Sequence, residues 1–230
     1  GSVKRRIGDC YAAGMDSIGI EKLGASPILP ELAKVASVTS LEDIISEAAI
    51  MRTQGLGSPL FSFYVGQDRK EATKLIAQLG QGGTTLPDRD YYLKADARTL
   101  KIQDAYKKYI TQLFVLSGIM DELAKKNAET IFVIEKALAT AQMSRVEMRD
   151  PYKTYNKFSV ADFSKTTSNM NWATLLPKMK VSGQDTMLVG APKFFTELNA
   201  LLVATPVADW KTYLQWNVLK TSAPYLSSAF

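Results

Sequence analysis

Gly82-Gly83-Thr84-Thr85-Leu86-Pro87-Asp88-Arg89-Asp90-Tyr91-Tyr92 is the stretch on which the chain turns. Two glycines free the backbone, a proline fixes it, and an acid–arginine–acid triplet leads into paired tyrosines. Short helical patterns and one strand precede it. Two long amphipathic helices follow. A loop of this composition is either a structural clasp or the lip of a binding site.

Downstream, Ile102, Tyr106, Tyr109, Leu113 and Leu116 recur on one face of a helix from Asp96 to Leu116. Ser117-Gly118 interrupts it. A second helix runs from Asp121 to Arg145, with Ile131, Ile134, Leu138 and Ala141 inward. So short a connection predicts an antiparallel helix hairpin. Glu135 flanks the apolar stripe and has two readings: a buried carboxylate paired with an arginine, or a catalytic acid. Pro151 stops helical geometry after Arg149-Asp150, and Tyr152 to Lys157 reads as a loop. Ser159 to Asp162 resembles a capping box, and Asn171 can cap Trp172 to Met179. Thr186 to Val189 is a candidate strand. Phe194, Phe195, Leu198, Leu201 and Leu202 mark a further helix. Thr205-Pro206 reads as an N-cap with proline in the first turn of the last one, where Trp210, Tyr213, Leu214 and Val218 face inward.

Upstream, Val3, Ile7, Cys10, Tyr11, Met15 and Ile18 fall on one face of a helix ending near Leu23-Gly24. Cys10 lies on that stripe, either as a buried small hydrophobe or as half of a disulfide whose partner is outside the chain. Ser40 to Asp43 has the form of a capping box. Leu60 to Val65 alternates as a strand with Phe61, Phe63 and Val65 on one face, and Arg69 to Leu79 reads as a short helix. The expectation is a mainly α fold: one domain over residues 1–230 with a long antiparallel helix hairpin and a small two-stranded β-ribbon.

Composition narrows the chemistry. The 230 residues contain no histidine and one cysteine. Histidine-based zinc sites, serine–histidine and cysteine–histidine nucleophiles, and an internal disulfide are thereby excluded. The formal charge of +5 is dispersed, with Lys107-Lys108 and Lys125-Lys126 only doublets, which argues against nucleic-acid binding. No run approaches the roughly 18 apolar residues of a membrane span. Gly80 to Gly83 lacks the lysine that follows a phosphate-binding loop. Asp88 and Asp90 flank Arg89, which suits an ion-pair cluster better than a proton donor. A carboxylate-based hydrolase would lose its activity on Asp90→Asn.

Leu86-Pro87-Asp88-Arg89-Asp90-Tyr91-Tyr92 resembles the Leu-Pro-x-Arg-Asp-Tyr-Tyr segment of the neprilysin and endothelin-converting-enzyme family of zinc metalloendopeptidases. Further stretches agree in order. Cys10 to Asp16 is similar to the helix near the start of that family's helical domain, with a different tyrosine spacing. Phe63 to Asp68 resembles its Phe-Val-Gly-x-Asp strand. Arg149-Asp150-Pro151 with Tyr155-Asn156-Lys157 resembles its Arg-x-Asp-Pro and Leu-Tyr-Asn-Lys run, and Ala191-Pro192 and Asp209 to Trp216 fit later helices.

The resemblance implies two helical lobes around a cavity, one carrying a His-Glu-x-x-His zinc helix and the other limiting entry to small peptides. This chain is similar to part of the second, capping lobe. By that reading it has no catalytic or metal residue, is inactive alone, and holds no cofactor, while the parent carries zinc. Its partners would be the catalytic lobe of the same polypeptide and small peptide substrates. Arg89, Asp90, Tyr91, Arg149, Asp150, Tyr155 and Asn156 are the candidates for a cavity wall or a structural clasp. The unpaired Cys10 and the lack of an Asn-x-Ser/Thr sequon point to a bacterial parent in the periplasm, secreted or anchored at the cell surface. The competing reading is a free-standing helical module that binds a peptide or protein without cleaving it.

Overall fold

The computed structural model describes residues 1–230. In chain order the elements are α1 (Val3–Met15), α2 (Ser17–Leu23), α3 (Leu29–Ser37), α4 (Leu41–Thr53), β1 (Ser62–Gln67), β2 (Leu75–Gly80), α5 (Asp90–Leu93), α6 (Ala97–Leu116), α7 (Asp121–Ala141), α8 (Arg145–Met148), β3 (Asn156–Ser159), α9 (Val160–Thr166), α10 (Trp172–Lys178), β4 (Thr186–Val189), α11 (Pro192–Ala204) and α12 (Val207–Ser222). The fold is mainly α.

α6 and α7 form the expected hairpin. Gly118 supplies the left-handed turn at φ 95°. The ion pair Lys107–Glu129 at 2.8 Å and the hydrogen bond from Tyr106 to Glu135 fix the antiparallel pairing. α12 runs behind the hairpin and packs on α3, α4, α6 and α7. All three tryptophans, Trp172, Trp210 and Trp216, are fully buried. Around Trp172, the rings of Phe61, Phe163 and Phe195 lie with centroids 5.2–5.8 Å apart, mostly edge-on or tilted, the arrangement that the ring quadrupoles favour.

The β structure departs from expectation. Instead of a two-stranded ribbon there is a four-stranded sheet in the order β1-β2-β4-β3. Residues 75–79, expected to be helical, form β2 together with Gly80. This strand pairs antiparallel with β1 and parallel with β4, and Ala77 stands opposite Met187. The run Leu75-Ile76-Ala77 and Leu79 is apolar without period, and a buried inner strand is indistinguishable from a helix segment on that signal. The two strands that were expected therefore never touch, because β2 lies between them. β3 falls within and just beyond the expected loop. It is polar, and pairing with β4 defines it, Asn156 standing opposite Val189. On the outer strand, Arg52 donates to the Phe63 carbonyl at 3.0 and 3.2 Å, which occupies part of an otherwise open edge.

Helix ends also shift. The first helix divides at Asp16, whose side chain caps α2 by accepting from the Gly19 N–H at 2.9 Å. None of the α1 residues is buried, Cys10 included. α7 stops at Ala141 rather than Arg145, because Gln142 leaves helical geometry and the Ser144–Glu147 capping box starts α8. Thr205 closes α11, and Pro206 is the N-cap of α12 rather than its first residue. The expected caps at Ser40, Ser159 and Asn171 each accept from a backbone N–H at the start of their helix.

Candidate functional site

The loop from Gln81 to Asp90 is seated from both sides. A Cβ on Gly83 would stand 2.7 Å from Leu138 and 2.9 Å from the Pro59 carbonyl, and its φ is 81°. A Cβ on Gly82 would strike the Phe61–Ser62 backbone at 2.9–3.0 Å. Only glycine fits either place. Gln81 and Met143 exchange two hydrogen bonds: the Gln81 Nε2 donates to the Met143 carbonyl, and the Met143 N–H donates to Gln81 Oε1. The Gln142 side chain donates to the Gly82 carbonyl at 3.0 Å. The buried Tyr213 hydroxyl lies 2.6 Å from the Gly83 carbonyl and also reaches that of Pro59.

Beneath this loop is Glu135, fully buried on α7. Its Oε2 accepts from the hydroxyls of Tyr92 at 2.6 Å and Tyr106 at 2.7 Å, and its Oε1 accepts from Thr85 Oγ1 at 2.7 Å. The Tyr92 hydroxyl in turn accepts from the backbone N–H groups of Thr85 and Leu86 at 3.0 and 2.8 Å. Thr85 Oγ1 accepts from Trp216 Nε1 at 3.2 Å and Lys220 Nζ at 2.9 Å. Each of the three hydroxyls thus uses its one proton on the carboxylate, and those of Tyr92 and Thr85 also take N–H donors on their lone pairs. Burial and the Glu135 charge push the Tyr92 and Tyr106 hydroxyls far above their ordinary range. Burial pulls the Lys220 ammonium down, and Glu135 opposes it. No arginine reaches Glu135, so the expected arginine partner is replaced by hydroxyls, with the cation one atom farther out. The carboxylate is enclosed by the groups it binds, which is the arrangement of a tie between elements.

The residues singled out from sequence fall into two groups. Arg89, Asp90 and Tyr91 sit at the start of α5, against the end of α7. Arg89 Nη1 donates to the Gln142 carbonyl. Asp90 pairs with Lys94 at 2.8 Å, and the Tyr91 carbonyl accepts from Gln103. Neighbouring Asp88 meets Arg145 at 2.7 Å. Asp150, Tyr155 and Asn156 belong to the sheet. Asp150 caps the turn through the Tyr152 and Lys153 N–H groups, and Asn156 donates to the Lys153 and Val189 carbonyls. The Tyr155 hydroxyl donates to Asp68 at 2.8 Å. The Arg149 side chain is exposed.

Asp68 was not singled out, yet its side chain is 1% exposed and ties its own turn to the segment 155–157. It accepts from the Lys70 N–H at 2.9 Å, from Tyr155, and from Lys157 Nζ at 3.0 Å. The Lys70 N–H, followed by Lys157 and Tyr155, holds its carboxyl at about 2 against the opposing effect of burial. Arg69 reaches Thr154, and the Lys70 ammonium lies 4.4 Å from the Tyr155 ring centre. The Asp in the Val-Gly-x-Asp segment was the only signal for it. For the Glu135 assembly the signal was a carboxylate on an apolar helix stripe.

Two concavities flank the loop. One is a groove of about 610 Å³ between α7 and α11. Leu138, Ala141, Leu198 and Leu201 floor it, and Arg89, Glu147, Lys193 and Glu197 rim it. The other, of about 590 Å³, is polar and lies between α5 and α6, with Asp88, Asp90, Lys94, Arg98 and Arg145 around it. The one hydroxyl–carboxylate contact lining the second, Thr99 Oγ1 to Asp96 Oδ2 at 2.7 Å, belongs to the N-terminal cap of α6. The residues present do not fit a zinc site, since no three of His, Cys, Asp or Glu converge and the sole cysteine lies on α1.

The family model described as Peptidase family M13 (Peptidase_M13_N) matches residues 1–230. An endothelin-converting enzyme homolog of Locusta migratoria is 28% identical over 92% of this chain and 31% of its own length. Endothelin-converting enzyme 1 of Mus musculus is 26% identical over 96% of this chain and 30% of its own. The crystal structure of the zinc metalloprotease ZMP1 of Mycobacterium tuberculosis with an inhibitor superposes with a TM-score of 0.92 at 26% identity, over 99% of this chain and 35% of that one. The chain thus spans about a third of the length of the relatives it matches. No helix is long and apolar enough to cross a membrane.

Proposed function

The chain belongs to peptidase family M13, and from that membership we propose that residues 1–230 are part of the non-catalytic, capping lobe of a zinc metalloendopeptidase. The remainder of the polypeptide would hold zinc and hydrolyse peptide bonds in oligopeptides. This part would wall the cavity and restrict entry to small peptides. One observation carries the reading: the family match and the superposition on ZMP1 extend over essentially the whole chain, while the chain itself assembles no metal ligands.

The physical basis for a wall is rigidity. A cavity excludes folded proteins only if its sides do not yield, because a folded chain cannot be threaded to a recessed metal. The α6–α7 hairpin is tied through Glu135 to α5, α12 and the 82–90 loop. A buried, fully satisfied polar network of this kind fixes one arrangement of the helices around it. The parent's location outside the cytoplasm follows from the same family reading.

The test compares two proteins. Residues 1–230 alone should hold no stoichiometric zinc by metal analysis and cleave no peptide. The longer polypeptide containing them should bind zinc and cleave short peptides while sparing folded proteins. Zinc bound tightly by residues 1–230 would overturn the assignment. Equal cleavage of short peptides and folded proteins by the longer form would overturn the wall.

A further inference from the structure

α1 is an amphipathic helix with its apolar face bare. Val3, Ile7, Tyr11, Met15 and Ile18 at the start of α2 are each at least 64% exposed, and none of the 13 residues of α1 is buried. Every other helix of comparable length buries part of its apolar face. A helix of this length is marginal in water when nothing covers it. Gly8 and Gly14 weaken it further, since a Cβ at either would meet nothing within 4 Å and so no close packing requires them. The sequence therefore encodes a helix whose stability must come from a surface placed against it.

That surface is not in residues 1–230, and two findings indicate where it is. The family match begins at residue 1, so α1 belongs to the peptidase module and is not an appendage. The superposition on ZMP1, covering 99% of this chain at a TM-score of 0.92, places α1 as it lies in a chain about three times as long. The charges describe the occupant. Arg5 reaches Asp9 at 3.9 Å, whereas Lys4 and Arg6 beside the apolar stripe pair with no carboxylate.

We infer that the face formed by Val3, Ile7, Cys10, Tyr11, Met15 and Ile18 is the docking surface for an apolar, acid-flanked helical segment of the same polypeptide beyond residues 1–230. This rests on the proposed peptidase reading for the existence of that polypeptide, and it specifies which surface the two parts share. α2 is held to the segment around Ser228 by Glu21, which accepts from the Ser228 N–H at 2.7 Å, so the docked segment would also brace that contact.

Cys10, the sole cysteine and part of this face, reports on the contact. A maleimide should label it at the rate of a free thiol in residues 1–230, with a phosphine reductant present and the Cys10 peptide followed by mass spectrometry. In the longer polypeptide, labelling should slow by at least about tenfold, as it does for a group reached only by local opening. Free labelling in a longer polypeptide that binds zinc and cleaves peptides would overturn the docking surface and leave the peptidase reading intact. Protection in a longer polypeptide that binds no zinc would support the surface and sink the peptidase reading. Protection in residues 1–230 that grows with protein concentration would show a second copy on the face, and would also overturn the inference. Ile7→Glu provides an independent check. It should leave the melting temperature of residues 1–230 unchanged and lower that of the longer polypeptide; no change in either would count against the docked face.

Discussion

Glu135 among the helices and Asp68 at the sheet are both sequestered carboxylates that accept from tyrosine hydroxyls, and they are balanced in opposite ways. Glu135 accepts from three hydroxyls, and its nearest lysine, Lys220, acts through Thr85. Asp68 meets its lysine directly, at 3.0 Å, and that lysine remains partly in solvent. Deep in the core three hydroxyl dipoles neutralise the carboxylate, and Lys220, itself desolvated, reaches it through Thr85 rather than as a direct ion pair. At the edge of the sheet water shares the cost, and a direct ion pair suffices. Glu135 therefore joins three helices and a loop, whereas Asp68 pins the β1–β2 turn to the start of β3, the strand at the opposite edge of the sheet. The helical half should be sensitive to deletion, and the sheet to pH.

Glu135→Ala tests the difference most severely. It leaves the Tyr92, Tyr106 and Thr85 hydroxyls and the Lys220 charge without their acceptor. The expected loss is about 3–5 kcal/mol, read from urea unfolding. An equal loss from Asp68→Ala would break the comparison. Tyr106→Phe removes one donor and keeps the ring against Trp216. It should cost about 1.5–3 kcal/mol, the range for a hydrogen bond to a charged group, with the urea midpoint lowered and the slope unchanged. Asp68→Asn should have the smallest effect and the clearest pH signature. The folded state holds this carboxyl at about 2, below its ordinary 3.8. A group depressed in this way stabilises fully above its unfolded value and ceases to do so as pH falls through the folded one. The gap in melting temperature between the wild type and Asp68→Asn should be full above pH 3.8 and close as the pH approaches about 2. A gap independent of pH would remove the ion pair as its source.

The helical architecture was legible because period and punctuation agreed. Ile131, Ile134 and Leu138 face inward as their spacing requires, and Ser40, Ser159 and Asn171 cap the helices they precede. The sheet was not legible, because residues 76–79 of β2 are buried on both faces and β3 owes its existence to β4. Val3 to Ile18 misled in a different way. The pattern correctly reported an apolar helix face, and nothing in the pattern says whether its cover lies within the same 230 residues. At the site, the Gly82–Tyr92 loop was recognisable as special from its glycines and its proline. Its anchor was harder to see. Glu135 and Tyr106 lie far from the loop in sequence, and no local spacing connects a carboxylate on one helix to hydroxyls on two other segments.

The parallel pairing of β2 with β4 has a consequence for how the molecule is made. Ala77 finds Met187 only after a stretch of about 110 residues has been synthesised and brought back, and closing so long a loop is an entropic expense that local contacts cannot lessen. Until then β2 has its hairpin partner β1 on one side and an unsatisfied ladder on the other. A chain emerging from the ribosome carries that open strand through the synthesis of α5 to α10. Assembly is therefore slow and late, the exposed strand is where nascent chains would stick to one another, and arrival of Thr186–Val189 is the event that commits the two halves to a single folded body.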